Sequence, residues 1–354
     1  MPIPFLLWGA AALAGAIGIG KGIEASENNA KAKEYIDDAQ NIFDDAKYRL
    51  EVQQGDTANF LESLGKTKLF CWSNTIGNFI NLFGKFKNVC FENAPNIDVK
   101  LQNLLKENNL NNMVVASLKA QEVVKGGIGA LSTGALAGIA SYGGAMMFAS
   151  ASTGTAIASL SGVAATNATL AWLGGGSLAA GGFEMAGGVI ALGGIMLGPV
   201  FAVAGFLMAA KSEENLAEAK QHYQEARNAV EKMETIISLL SSISRLSNLY
   251  ESFISKFGQK IDNLSKQVQE IYEREYELQR KSFANIIRSL FFIKTKVDYR
   301  LLSIQDQKLL QIYCLSAQVL NAVLATPLLD EQGNLQESAE ETLNSAQRNL
   351  SKIL

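Results

Sequence analysis

Apolar side chains recur along most of this chain at the spacing of one face of a helix. From Glu24 to about Gln54 they fall at Tyr35, Ile36, Ala39, Ile42, Phe43, Ala46 and Leu50, which predicts an amphipathic helix in water. A second row runs through Phe60, Leu64, Trp72, Ile76, Phe79, Phe83, Phe86 and Cys90, and the turn at residues 92–96 ends it. A third helix starts after Asn96 and leads through Leu101, Leu104, Leu105, Val114 and Leu118 directly into a long apolar stretch. Beyond that stretch, Leu216, Ala219, Tyr223, Ala226, Val230, Met233, Ile237 and Leu240 alternate in steps of three and four, a heptad seam. The seam slips by one step at Leu240, Ile243 and Leu246, then continues through Phe253, Phe257, Ile261, Leu264, Val268 and Ile271. With no proline between Lys211 and Arg280, one helix of about 70 residues, roughly 105 Å long, is predicted, with Gly258 as a point where it bends or breaks. Two further helical stretches, 281–325 and 336–353, flank the turn TPLLDEQGN. No strand alternation interrupts this pattern. The fold class is all-α: an elongated helical bundle with long coiled-coil helices and a glycine-rich apolar helical hairpin.

The hairpin is read from the interval between Lys125 and Lys211. Its 85 residues carry one charged side chain, Glu184, and 20 of the chain's 31 glycines. The chain therefore divides into an apolar N-terminal helix (1–22), an amphipathic helical arm (23–125), a membrane-inserting segment (126–210) and a coiled-coil and C-terminal arm (211–354). Residues 187–210 and 126–150 are the most apolar parts and are long enough to span a bilayer. Gly134 and Gly138 continue a four-residue repeat from Ala130, and Gly194 and Gly198 repeat likewise, so each helix presents a flat stripe for close helix packing. The stretch between them is richer in Ser, Thr, Asn and Gly, and is read as re-entrant or as the tip that crosses first. An even number of spans leaves both charged arms on one face of the membrane, so two or four are preferred to three. Leu, Ile, Phe and Val each favour insertion by only about 0.3–0.6 kcal/mol. A segment diluted with Gly, Ala, Ser and Thr is thus a marginal inserter, suited to being stowed against its own bundle and released later.

Other features add to the membrane reading. The first twenty residues carry no charge, and Ala14, Gly18 and Gly22 form a row of small residues; this stretch is either a second inserting helix or a helix docked on the protein's own core. No Lys or Arg precedes its apolar run, which argues against a cleavable signal and for storage in, or residence at the membrane of, a bacterial-type cytoplasm. Glu184 has three readings: a protonation switch, a pore-lining group, or a water-exposed residue in a glycine-rich loop. Residues 280–300 set Arg288 and Lys294 among Phe291, Phe292 and other apolar residues, a basic amphipathic pattern that suits an anionic membrane surface or a core helix with a solvated basic face. Lys66, Lys68, Lys85 and Lys87 among Trp72, Phe79, Phe83 and Phe86 invite the same two readings.

Composition narrows the chemistry. A net charge of −3 lacks the basic surface that nucleic acid requires. Cys71, Cys90 and Cys314 lie far apart without metal or redox spacing, and read as buried thiols in a reducing compartment. One histidine, His222, sits in a charged helical run and reads as a surface residue. Gly65-Lys66-Thr67 lacks the earlier glycine of a phosphate-binding loop, and Asp37, Asp38, Asp44 and Asp45 fall on solvated helix positions. No catalytic residue, cofactor site or metal site is identified, and the chain reads as a non-enzyme.

The order of parts, charged helices, a glycine-rich apolar hairpin and then a long coiled-coil helix, resembles the cytolysin-type α-helical pore-forming toxins. It also resembles the apolipoprotein L proteins, whose apolar hairpin is flanked by amphipathic helices. The likeness is one of layout over most of the chain. It implies a lipid bilayer as partner, homo-oligomerisation through the small-residue stripes, and leakage of ions or larger solutes. The alternative is a non-enzymatic membrane-anchored coiled-coil scaffold that tethers a partner protein or shapes the membrane.

Overall fold

The computed structural model describes residues 22–90, 110–126, 133–148, 216–280, 296–330 and 334–353. The fold is all-α. The described elements in chain order are α1 (Gly22–Phe70), a π-helical turn (Cys71–Ile76), α2 (Gly77–Phe83), β1 (Phe86–Lys87), α3 (Leu110–Lys125), α4 (Thr133–Phe148), α5 (Leu216–Arg280), β2 (Val297–Asp298), a 3-10 turn (Tyr299–Leu301), α6 (Ile304–Ala325) and α7 (Glu337–Ile353). Two compact units result, Met1–Tyr48 with Pro199–Met233, and Arg49–Gly198 with Glu234–Leu354.

In the first unit the N-terminal part of α1 and of α5 form an alanine seam. Ala32, Ala39 and Ala46 recur every seventh residue in α1, as do Ala219 and Ala226 in α5, and all five are buried. A methyl at the contact lets two helices approach closely without a cavity. The Tyr35 and Tyr223 rings meet edge to face at 5.6 Å, and Lys220 lies over the Tyr35 ring. His222 is half-buried, its Nδ1 3.6 Å from the Glu225 carboxylate.

In the second unit α1 and α5 run in the same direction. Arg49 pairs with Glu234 at 2.6 Å, Thr57 shares a hydrogen bond with Ser244 at 2.9 Å, Ser63 donates to Glu251 at 2.8 Å and, beyond α2, Lys85 donates to Gln269 at 3.3 Å. Residue numbers rise together on both helices, so the chain between them makes a long crossover.

Several expectations change in detail. The two apolar rows before residue 84 belong largely to one unbroken helix, because no proline or capping turn separates them. Phe86 leaves the helix and pairs through β1 with Val297 of β2, a parallel ladder of two residues. The slip in the α5 seam is absent. Buried positions follow two strict seven-residue series, 219 to 268 and 229 to 271, so Ala229 and Ile236 face inward where Val230 and Ile237 were expected. Ser247 occupies a seam position and hid that continuity. Gly258 does not break α5; its bare Cα faces Cys71 Sγ. Residues 296–303 are not α-helical, and α6 begins after Ser303, whose hydroxyl accepts the Asp306 N–H at 3.1 Å. Cys71 and Cys314 are buried free thiols, whereas Cys90 is exposed.

Helix α6 forms the centre of the second unit, with buried residues from Leu310 to Leu324. It is the one helix among the described residues long and apolar enough to cross a membrane, with a mean hydropathy of 1.3, and 67% of its apolar window is buried within the fold. It ends at Ala325 because Thr326 precedes Pro327, whose ring drives the preceding residue into the extended conformation observed there.

Candidate functional site: the dock of the apolar segment

Helix α4 is the part of the apolar segment that the structure describes, and it lies in the core. Leu136, Ala137, Gly138, Ile139, Ala140, Ser141, Tyr142 and Gly143 are all buried. This turn packs against α1, α3 and α6 through four linked features.

Gly65 of α1 is the first. A Cβ at this position would stand 2.0 Å from the Leu136 carbonyl oxygen, so only glycine permits the two backbones to cross here. Lys68, one turn further along α1, faces one turn further along α4: its Nζ donates to the Ala140 carbonyl at 2.9 Å and to the Thr326 carbonyl at 3.2 Å. Lys68 is fully buried, and no carboxylate pairs with it among the described residues. The Tyr250 ring lies 5.6 Å from the amine. Burial lowers the Lys68 pKa from 10.5 to about 7, since a charged amine is poorly solvated there.

Gly143 is the third feature. Its φ of 51° is left-handed, and a Cβ would meet the Ala325 carbonyl oxygen at 2.5 Å. Breaking the helix at this residue leaves carbonyls of the preceding turn without their usual donors. Ser141 C=O accepts from the Leu328 and Leu329 N–H groups at 2.7 and 3.1 Å, and Ala140 C=O accepts from Lys68. The backbone break and the buried lysine therefore depend on each other.

The π-helical turn is the fourth. It carries Trp72 one turn beyond Lys68, and the indole Nε1 donates to Asn321 Oδ1 of α6 at 3.0 Å, with both side chains buried. The widened turn leaves Ser73 C=O to accept from Gln121 Nε2 of α3 at 3.3 Å. Gly77 makes room for that amide, since a Cβ there would stand 2.6 Å from it.

The basic and aromatic run of residues 66–87 thus gives part of its side chains to the core, as a core helix with a solvated face does. Trp72 and Phe79 are fully buried, Lys66 pairs with Glu62, and Lys68 is the reverse of a solvated cation. Gly138 lies in the core, and Gly134 lies within α4. Ala14, Gly18, Glu184, Gly194, Gly198, Arg288, Phe291, Phe292 and Lys294 lie outside the described residues, as does the second arm of the expected hairpin. Asp37, Asp38, Asp44 and Asp45 are exposed. Among the described residues, no three His, Cys, Asp or Glu side chains gather as a metal set.

Lys68 and Gly65 were missed as site residues. The signal was the gap in the apolar row between Leu64 and Trp72, which position 68 fills at helical spacing. No protein-family model, curated protein or solved structure matches this chain.

Proposed function

We propose that this is a membrane-permeabilising helical protein, in which a helical body stores a glycine-rich apolar segment that enters a bilayer, oligomerises and admits solutes. The observation that carries this reading is the 85-residue interval between Lys125 and Lys211 with Glu184 as its sole charge. A chain with a net charge of −3 that already has a core helix in α6 has no need of so long an uncharged interval for its own core. The role of α4 fits storage, since the head of the segment rests on the body through carbonyls and small residues.

A second reading is favoured by the same burial: α4 as a permanent core helix, with the protein acting as a membrane-anchored coiled-coil scaffold. Dye release from liposomes separates the two. The full chain is compared with a chain in which residues 149–210 are replaced by a Gly/Ser linker of equal length, which keeps α4 in the core and leaves the return to α5 long enough. Release by the full chain alone supports permeation. Binding to liposomes without release leaves the scaffold.

A further inference from the structure

Resting on the permeation reading, we propose that α4 is a releasable latch: Gly65, Lys68 and the Thr326 carbonyl hold its Leu136–Gly143 turn on the body, and undocking of that turn frees the apolar segment for a bilayer.

The composition of the dock supports release. The turn brings three large side chains to the core, Leu136, Ile139 and Tyr142, whereas α6 brings Leu310, Tyr313, Leu315, Val319, Leu320, Val323 and Leu324. Its remaining attachments are main-chain carbonyls, which water satisfies as readily once the turn departs. A glycine-rich helix broken at Gly143 gains little from its own helical structure. The Ser141 hydroxyl is buried with no hydrogen-bond partner among the described residues, so undocking relieves a polar group as well. Above all, docking dehydrates the amine of Lys68, and release returns it to water.

That last term fixes how docking responds to pH. Among the described residues, the titratable group that faces the Lys68 amine is Tyr250 on α5, and α4 and the stretch after α6 present the Ala140 and Thr326 carbonyls to it. The docked amine titrates near 7 and the released amine near its ordinary 10.5. The released state therefore binds the extra proton between these values, and each unit fall in pH within that window favours undocking by ~10-fold. Below pH 7 both states are protonated and Lys68 adds no further slope.

Hydrogen exchange over residues 133–143 and dye release from liposomes containing phosphatidylglycerol test the latch on the full chain. Gly65→Ala should lower protection of 133–143 by ~10-fold or more by overpacking the crossing, with α5 and α6 still protected, and should speed dye release. Should Gly65→Ala unfold the body as a whole, the wild-type pH series decides: protection of 133–143, corrected for intrinsic exchange, should fall from pH 9 towards pH 7 with release rising, and Lys68→Met should remove the slope. Undocking in Gly65→Ala with unchanged release overturns the latch, as does a wild-type series without slope. Failure of the permeation reading looks different: wild type then binds liposomes without releasing dye at any pH, or the chain with residues 149–210 replaced by a linker releases dye as well as the full chain does.

Discussion

A lysine sealed from water without a carboxylate beside it destabilises the fold that contains it. For Lys68 the drop from 10.5 to about 7 corresponds to ~5 kcal/mol when the group is charged in the unfolded chain. The folded pKa is depressed, so the unfolded chain binds more protons between pH 7 and 10.5, and this penalty shrinks as pH rises through that window. Burial pushes the Cys71 and Cys314 thiols up to about 12, which acts with the opposite sign once unfolded thiols ionise above about pH 8.5. The clean test is the stability difference between wild type and Lys68→Met in urea. It should shift by ~1.5 kcal/mol in favour of wild type from pH 7 to pH 8.5. A second residue-scale prediction concerns Trp72: Asn321→Leu leaves its buried N–H without an acceptor and should cost ~1–3 kcal/mol, much of it recovered when Trp72→Phe is added. Neither partner is conspicuous in the sequence. Lys68 is visible as one lysine of a basic and aromatic run and as the polar member of an apolar row, and Asn321 only as an amide within a run of aliphatic residues.

At the scale of elements, helical periodicity was legible because it survives small errors of register. Helices α1, α5 and α7 stand close to where the apolar spacing puts them. What spacing alone did not resolve was which of two adjacent apolar residues faces inward. Ala229 and Val230, or Ile236 and Ile237, satisfy a step of three or four equally well, and choosing the larger Val230 created an apparent slip downstream. The alanine seam of the first unit decides the matter, because close helix approach selects the smaller side chain. Ser247 completed the confusion by placing a hydroxyl in the seam, where it is fully buried with no hydrogen-bond partner among the described residues. Ser247→Ala should therefore raise stability by about 1 kcal/mol, read as a higher urea midpoint at unchanged slope. The β1 and β2 pairing left no trace in the sequence, since two residues per strand are too few for an alternation to be recognised.

For the molecule as a whole, the apolar interval between Lys125 and Lys211 was the legible part of the candidate site, and its dock on the body was not, because Gly65, Lys68, Gly143 and Thr326 are brought together only by folding. If the segment acts through close helix packing in a bilayer, replacing Gly194 and Gly198 by Leu should abolish dye release while liposome binding is retained. The parallel course of α1 and α5 in the second unit gives the intervening chain a structural duty too, since it must return from the end marked by Lys85 and Gln269 to the end marked by Arg49 and Glu234. One smaller contact has a practical consequence. Gln279 grips Asp298 twice, accepting from its N–H at 2.8 Å and donating to its C=O at 3.4 Å. The clasp joins the two ends of the stretch 280–297, so the entropy of closing the chain between them changes only slowly with its length. A fluorescent reporter spliced into that stretch should leave the helical body's melting behaviour close to that of the parent, which makes it a convenient place to carry a probe.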